Sequence, residues 1–406
     1  MKKVVIIIGI VAVAIIALGI TFSMEIERYN YQTSLFSGAA QAENFTRQND
    51  FYPINEMQPA DHPSALPVGD PFTLPSSFTF QEQTFNTTEF LDKTDTGALL
   101  VLHRGKLRYA TYALPAGEDV AWLTHSISKT LVATAVGLAY QQGFINSLDD
   151  PIDHYVPMLS TSGYAGVSIR DVLQMSSGIR WNEDYSDPES DLNQFGITIF
   201  TGASYDEFVS TLVSEREPGT YNSYTGMDSQ ALTMLVRAVT EMSLSDYLSA
   251  NVWQPLGMQD RAFWTTDKNG VELGLGGLSA TARDLAKIGE LYRNQGVWQG
   301  QQILNSDWIV QSTTATAPHL TRGENPNSKH TMGYGFQWWL PAGDEQDYAA
   351  IGIYNQFIYV NPKHATVIVK LSAYRDYANT SVPDPYLETE TFSMFREIAA
   401  KVSERP

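Results

Sequence analysis

Alternating stretches of apolar and polar residues predict a β-sheet whose strands come from both ends of the chain. Early in the chain, the apolar runs Ala98–His103 and Leu107–Tyr112 flank a short turn that contains glycine, which predicts a β-hairpin. A short helix, Thr87–Lys93, is expected just before it. Strand-like runs return only late in the chain, at Tyr348–Ile353, Gln356–Val360 and Ala365–Leu371.

Between these strands, apolar residues recur at helical spacing. The most apolar stretch runs from Ser126 to Gln142 and stops at Gly143, which predicts a buried helix. A last amphipathic helix is expected from about Glu390 to Val402. Further helices are predicted at Ile169–Met175, Tyr205–Val213, Ser229–Glu241, Leu244–Val252 and Ala282–Asn294. Strands at both ends of a helical middle imply one antiparallel sheet that is backed by helices.

The first residues follow a different pattern. Two lysines precede an apolar stretch from Val4 to Met24 that is long enough to span a bilayer as a helix, and they place the N-terminus inside. We therefore expect residues 1–24 to be an uncleaved signal anchor in the inner membrane, with a cleaved signal peptide as the alternative. In both cases the working domain would lie in the periplasm or otherwise outside the cytoplasm.

Domain boundaries follow from these patterns. Six prolines between Glu25 and Phe78 interrupt any long helix or central strand, so residues 25–78 are expected to be a spacer or a surface wrap. One globular domain is expected at residues 79–404. Its sheet would come from residues 79–145 and 301–404, with a helical insertion at about 146–300.

Composition narrows the range of functions. The formal net charge of -19 repels polyanions, so we do not expect the protein to bind nucleic acid. The absence of cysteine excludes disulfides, thiolate catalysis and cysteine-ligated zinc. The seven histidines lack metal-binding spacing, and no Walker A loop, G-x-S-x-G motif or complete dinucleotide fingerprint is present. We therefore expect neither a metal nor another cofactor.

A candidate nucleophile lies at the start of the buried helix. Ser126 and Lys129 form the chain's S-x-x-K motif, and their i, i+3 spacing places both on one helical face. Burial would lower the lysine pKa, so that its amine could accept the serine proton. The helix N-terminus would also direct backbone N–H groups at developing negative charge. The alternative is that Ser126 caps a core helix and that Lys129 reaches solvent.

A second candidate is Tyr224, in the irregular turn Pro218–Gly226 that leads into an apolar helix. Such a turn can direct a phenol into a cleft, where it could pass a proton to a leaving group. The alternative is an ordinary tyrosine at the edge of the core. His125, beside the candidate nucleophile, is expected to pack rather than to catalyse.

The chain contains, in this order, the motifs His125–Thr130, Ile169–Gly178, Pro218–Tyr224 and Gly277–Gly289. Together these motifs resemble those of the class C β-lactamase-like serine hydrolases. Two further segments, Trp181–Pro188 and Gly352–Gln356, are most similar to the 6-aminohexanoate-dimer hydrolase branch of that family. The resemblance covers about residues 80 to 400.

The resemblance implies a β-lactamase/transpeptidase-like α/β (α+β) fold, with an antiparallel sheet flanked by helices, a mostly helical subdomain and a site in the cleft between them. It implies Ser126 as the nucleophile, Lys129 as the base and Tyr224 as the tyrosine of the family's Y-x-N motif. Whether Lys129 or Tyr224 accepts the proton during acylation is left open.

Other roles also follow from the resemblance. The backbone N–H groups of Ser126 and Ile353 would form an oxyanion hole. Tyr185, Gly352 and Tyr354 would bind the substrate.

At two positions the chain departs from the family pattern. Gly226 stands where Y-x-N has asparagine, and Ala350 stands where K-T-G or H-x-G has a cation. An alanine cannot hold the carboxylate of a β-lactam. We therefore expect a hydrolase that cleaves a small-molecule amide or ester through an acyl-enzyme. The alternatives are a catalytically idle, membrane-tethered scaffold, and a penicillin-binding DD-peptidase or β-lactamase.

Overall fold

The computed structural model describes residues 23, 26–379, 381–382 and 385–404. The strands are β1 (Ile54–Met57), β2 (Ser77–Phe80), β3 (Gln83–Asn86), β4 (Thr96–His103), β5 (Lys106–Tyr112), β6 (Trp122–Leu123), β7 (Ala262–Thr265), β8 (Leu278–Ala280), β9 (Val297–Trp298), β10 (Gln301–Gln302), β11 (Gly333–Tyr334), β12 (Trp339–Leu340), β13 (Tyr348–Gly352), β14 (Gln356–Asn361) and β15 (Thr366–Ser372). The α-helices are Gln41–Asn44, Gln48–Phe51, Thr87–Lys93, Ile127–Gln141, Ile152–Tyr155, Ile169–Leu173, Asp191–Thr201, Tyr205–Ser210, Gly226–Thr240, Leu244–Leu248, Ala282–Arg293, Ser306–Thr313 and Glu388–Ser403.

The largest sheet has seven strands in the order β11-β12-β13-β14-β15-β4-β5, and its neighbouring strands are antiparallel. The predicted hairpin is present as β4 and β5. Strand β4 also pairs with β15, with Leu100 opposite Val369, so early and late parts of the chain meet in the middle of the sheet. The prediction that distant segments of the chain form one antiparallel sheet is confirmed for this seven-stranded sheet.

Both faces of this sheet are covered. In β4, Leu100 and Leu102 belong to one core cluster, whereas Leu99 and Val101 belong to the other. Helices Ile127–Gln141 and Ala282–Arg293 pack against the first face, and the C-terminal helix packs against the second. A strand that is buried on both faces reads as a continuous apolar run, which explains why β4 lacks polar alternation.

A second, four-stranded sheet was not predicted. Its order is β1-β7-β8-β6, and each strand has at most four residues. Strand β1 lies in the proline-containing segment before residue 78 and pairs with β7 about two hundred residues later. Strands this short carry too few residues for a detectable period, so only the tertiary structure identifies them. Phe45 and Met57 of the same early segment are fully buried.

Several helices of the structure were also missed, and the two longest of them are Asp191–Thr201 and Ser306–Thr313. In the first, only Phe195 is buried, so the apolar pattern is weak. Its ends do carry signals, because Ser190 caps the N-terminus and Gly202 has a left-handed conformation at the C-terminus. These end signals could have identified the helix.

The predicted membrane anchor is corrected by the structure. Within residues 23, 26–379, 381–382 and 385–404, no helix combines the length and apolarity that crossing a bilayer requires. The apolar stretch at residues 4–24 lies, except for Ser23, outside the described residues. On this finding, the prediction of a membrane-spanning protein is wrong.

A buried carboxyl group gives the fold a pH dependence that can be measured. Burial raises the pKa of Asp228 from 3.8 to about 8, although Ser177 and Tyr164 donate hydrogen bonds to its Oδ1. Because the folded pKa is the higher one, the stabilising proton is fully present below about pH 4 and is lost as the pH rises through about 8.

We therefore expect the Asp228→Asn variant, which keeps the acceptor oxygen, to lose less stability than wild type between about pH 5 and about pH 9. Thermal unfolding across this range measures the difference. Asp344→Asn, at an exposed carboxyl group, is the control and should follow wild type. Parallel pH curves for wild type and Asp228→Asn would contradict the assignment.

Candidate active site

Ser126 lies at the N-terminus of helix Ile127–Gln141, and its side chain makes no capping hydrogen bond. Lys129, one turn later, is only 2% exposed. Its Nζ donates to Ser126 Oγ at 2.8 Å and to the carbonyl oxygen of Leu275 at 2.6 Å. The structure therefore excludes the arrangement in which the serine caps the helix and the lysine reaches solvent.

The electrostatic environment of Lys129 favours its role as a proton acceptor. Burial lowers its pKa from 10.5 to about 8, and the nearby carboxylate of Glu183 opposes part of this shift by favouring the ammonium form. A lysine with an ordinary pKa would be almost entirely protonated at neutral pH. In this site, a substantial fraction is neutral at slightly alkaline pH.

Tyr224 faces the same pair. Lys129 Nζ lies 4.9 Å from the centre of its ring, and the hydroxyl group of Ser126 interacts with its phenol. Burial raises the pKa of Tyr224 well above 10, and the negative charge of Glu183 adds to this effect. The phenol therefore keeps its proton at physiological pH and can donate it.

The loop that carries Tyr224 is held by the segment that contains the second motif. The backbone N–H of Ser223 donates to Met175 O at 2.9 Å. The side chain of Asn222 donates to Gln174 O at 3.0 Å. These contacts give the Ile169–Gly178 motif a structural role, because they fix the loop from which the phenol projects.

Gly352 ends β13 where this strand approaches the nucleophile. A Cβ atom at Gly352 would lie 2.4 Å from the carbonyl oxygen of Thr124, so no larger residue fits without moving the backbone. The close approach brings the next residue, Ile353, into the cavity that contains Ser126. In the described part of the chain, neither Ser126 N–H nor Ile353 N–H donates to a backbone carbonyl. Both groups are therefore available to an oxyanion.

Gln356 connects the same two segments. Its Nε2 donates to Leu123 O at 3.1 Å and to Ile353 O at 3.3 Å. In the sequence, the segment Gly352–Gln356 carries part of the family resemblance, but no role for the glutamine can be derived there. Its function in holding the two segments together depends on a partner more than two hundred positions away.

Lys370, which is fully buried on β15, supports the turn between β13 and β14. Its Nζ donates to Asn355 Oδ1 at 2.7 Å, and Asn355 Nδ2 donates to Thr391 Oγ1 at 3.1 Å. Burial lowers the pKa of Lys370 well below its usual value. The network holds Asn355, which, like the preceding Tyr354, has positive φ. No local sequence signal pointed to it.

A cavity of about 510 Å³ contains the candidate groups. Its lining includes Ser126, Tyr185, Tyr224 and Ile353, so these predicted residues come together. The structure does not bring Gly352 or Tyr354 into the lining. Further aromatic and charged residues complete it, and those that the sequence did not single out include Trp181, Lys329, His330, Tyr377, Tyr386 and Glu388.

Glu183 is the most informative of the residues that sequence reasoning missed. Its Oε2 accepts from the Gly226 N–H at 2.6 Å and from Trp181 Nε1 at 2.7 Å, and its Oε1 accepts from the Tyr185 hydroxyl at 3.3 Å. A Cβ atom at Gly226 would lie 3.0 Å from Oε2. The carboxylate thus lies against the position where Y-x-N has asparagine.

With this geometry established, comparisons with known proteins decide the family. The profile described as Beta-lactamase matches residues 86–391, which is most of the chain. The chain belongs to the beta-lactamase family. A 6-aminohexanoate-dimer hydrolase from Paenarthrobacter ureafaciens is 31% identical over 294 residues, which cover 70% of this chain and 74% of the relative. The chain is thus a beta-lactamase-family hydrolase related to that enzyme.

Solved structures agree on the fold of this family member. A Bacillus anthracis protein, whose assignment as a 6-aminohexanoate-dimer hydrolase is itself a proposal, superposes with a TM-score of 0.81 at 22% identity. The match covers 92% of this chain and 97% of that one. EstCE1, a hydrolase with promiscuous acyltransferase activity, has a TM-score of 0.59 at 16% identity, covering 78% and 96%.

The contact at Gly352 generates a prediction. In Gly352→Ala, the new methyl group forces β13 away from Thr124 and moves the Ile353 N–H. Loss of one oxyanion donor typically costs about 100- to 1,000-fold in kcat, so we expect a fall of at least about tenfold. Kinetics with a p-nitrophenyl ester measure the effect, and circular dichroism checks the fold.

Gly276→Ala is the matched control. A Cβ atom at Gly276 would have no neighbour nearer than 3.8 Å, although this glycine also lies beside the nucleophile segment. We expect kcat within about twofold of wild type for this variant. A folded Gly352→Ala variant with wild-type kcat would show that the contact does not position the donor.

Proposed function

We propose that this protein is a serine hydrolase that cleaves an amide or ester bond of a small molecule through an acyl-enzyme. The observation that carries the proposal is the buried Lys129 Nζ, which lies 2.8 Å from the Oγ of Ser126, a serine that makes no capping hydrogen bond. A serine is a weak nucleophile unless an adjacent base accepts its proton. We also propose that the hydrolase domain occupies residues 79–404.

The groups of the site define the steps. Neutral Lys129 accepts the proton of Ser126 as its Oγ attacks the carbonyl carbon, and the oxyanion that forms accepts bonds from the N–H groups of Ser126 and Ile353. Tyr224 then passes its proton to the leaving amine or alcohol and takes one from the Lys129 ammonium. Water, deprotonated by Lys129, attacks the acyl carbon. The bond from this carbon to Ser126 Oγ then breaks, the Lys129 ammonium returns its proton to Oγ, and the acid is released. No step uses a metal or a cofactor.

The proposed substrates are short linear amides and small esters. The Paenarthrobacter relative is named for the 6-aminohexanoate dimer, a linear amide, and this supports amide cleavage here. Tyr185 is proposed to contact the substrate, since it lines the cavity beside Glu183. Gly352 and Tyr354 are proposed to act by shaping the oxyanion turn rather than by touching the substrate.

β-Lactam hydrolysis is disfavoured by position 350. The side chain of Ala350 is buried in the core cluster on the sheet face opposite Ile351, which lines the cavity. This position offers no cation to a β-lactam carboxylate. A chromogenic cephalosporin should therefore remain uncleaved under conditions in which a p-nitrophenyl ester or a 6-aminohexanoate dimer is hydrolysed.

Replacement of the nucleophile tests the proposal directly. We expect Ser126→Ala to abolish ester hydrolysis and covalent labelling by a fluorophosphonate. Ser126 has a lysine partner at hydrogen-bonding distance, whereas the hydroxyl group of Ser186, which also lines the cavity, donates to the carboxylate of Asp184. The measurements are product release, intact-protein mass after labelling, and circular dichroism as a check on the fold.

Ser168→Ala is the matched control, because Ser168 also precedes a helix but does cap it, accepting from Asp171 N at 3.0 Å. We expect this variant to label like wild type. Hydrolysis that persists in Ser126→Ala would show that the nucleophile is misassigned. A wild-type protein that does not label would support an idle scaffold instead.

The pKa of Lys129 predicts a pH profile. Because the neutral amine is the active form, kcat/KM should rise with pH through an apparent pKa of about 8. Glu183 raises this pKa, so Glu183→Gln should move the rising limb to lower pH. Ester hydrolysis measured from about pH 5 to about pH 10 reports both values. An unchanged limb in Glu183→Gln would show that Lys129 does not control it.

A further inference from the structure

Four aromatic rings meet behind the oxyanion hole. We call Phe36, Phe45, His125 and Tyr354 the ring cluster. The rings of His125 and Tyr354 lie 5.3 Å apart between centres. Phe45 contacts both, at 4.9 and 5.3 Å, and Phe36 also contacts both, at 5.8 Å each. The Phe36 ring stacks on Tyr354 with an angle of 8° between the planes. This stack and the edge-to-face contact between Phe45 and His125 are arrangements that aromatic pairs prefer.

Two members of the ring cluster adjoin the oxyanion donors in sequence. His125 precedes Ser126, and Tyr354 follows Ile353. Both His125 and Tyr354 have positive φ, at 50° and 67°, a conformation that non-glycine residues adopt rarely and keep only when their surroundings hold it. The packing of their rings against each other therefore constrains the direction of both N–H groups at once.

The other two members come from an N-terminal segment that is anchored separately. The carbonyl oxygen of Phe45 accepts from Leu123 N at 2.8 Å. Gln48 Nε2 donates to Thr265 Oγ1 at 3.0 Å, and Tyr31 OH donates to Gln48 Oε1 at 2.7 Å. The segment is thus fixed to the four-stranded sheet and lies before residues 86–391, which the family profile matches.

We propose that this N-terminal segment is a positioning element for catalysis, which holds the two donors of the oxyanion hole in place through Phe36 and Phe45. The ring of His125 serves in packing, since its Nε2 makes no hydrogen bond in the described part of the chain. Burial lowers the pKa of His125 to about 3, so the ring is neutral and suited to this role. The inference rests on the proposed serine hydrolase mechanism.

Phe36→Ala tests the inference, because Phe36 is 50% exposed and its loss should leave the fold intact. Misplaced oxyanion donors weaken only the transition state, so we expect kcat to fall about 10- to 100-fold with KM within about twofold. Fluorophosphonate labelling should slow by a similar factor, since its phosphoryl oxygen enters the same hole. Phe36→Tyr, which keeps a stacking ring, should recover most of the rate.

Tyr29→Ala is the matched control, because Tyr29 is a 60% exposed aromatic residue of the same segment outside the ring cluster. It should keep wild-type kinetics. Rates are to be expressed per active site, titrated with the fluorophosphonate, so that a loss of folded protein does not count as a loss of rate.

The outcomes separate the two proposals. If wild type labels and Phe36→Ala labels at the same rate, the positioning role is wrong while the serine hydrolase mechanism stands. A rise in KM with unchanged kcat would show instead that Phe36 contacts the substrate, which also overturns the inference. If wild type itself does not label, the proposed function fails and this inference fails with it.

Discussion

The contact between Lys129 and Ser126 is the interaction on which the site depends. Burial in an apolar helix deprives the charged amine of the water that would stabilise it. This desolvation cost lowers the pKa of Lys129 toward the range in which the amine can accept a proton. The surrounding structure leaves the amine few other partners. The lysine cannot reach solvent, and its remaining strong hydrogen bond goes to the carbonyl oxygen of Leu275. The serine hydroxyl group is thereby left as its partner.

A second constraint is the distance between the nucleophile segment and the end of β13. The two proposed donors of the oxyanion hole come from residues more than two hundred positions apart, and a close contact between backbones sets the spacing of their segments. Gly352 permits the close approach to Thr124, and Gln356 bridges the two segments. Donors that are held before the reaction need no reorganisation when charge develops.

The two departures from the family pattern have different structural consequences. At position 226, the missing side chain leaves room for the carboxylate of Glu183, which accepts the backbone N–H there and adds a negative charge near Lys129. At position 350, alanine is simply part of the core. The first departure changes the electrostatics of the site, whereas the second removes a binding group. Both positions lie within a fold that is shared with the family.

The sequence by itself determined the long elements, the order of the motifs and the chemical pair, because helical and strand periods and i, i+3 spacing are local properties. It also supported the β-lactamase-like fold through the resemblance. The tertiary structure decided the four-stranded sheet, the place of Tyr354 in a ring cluster rather than in the cavity, and the roles of Glu183, Gln356 and Lys370. Each of these depends on partners that are distant along the chain, and short strands or single polar side chains leave no periodic signal.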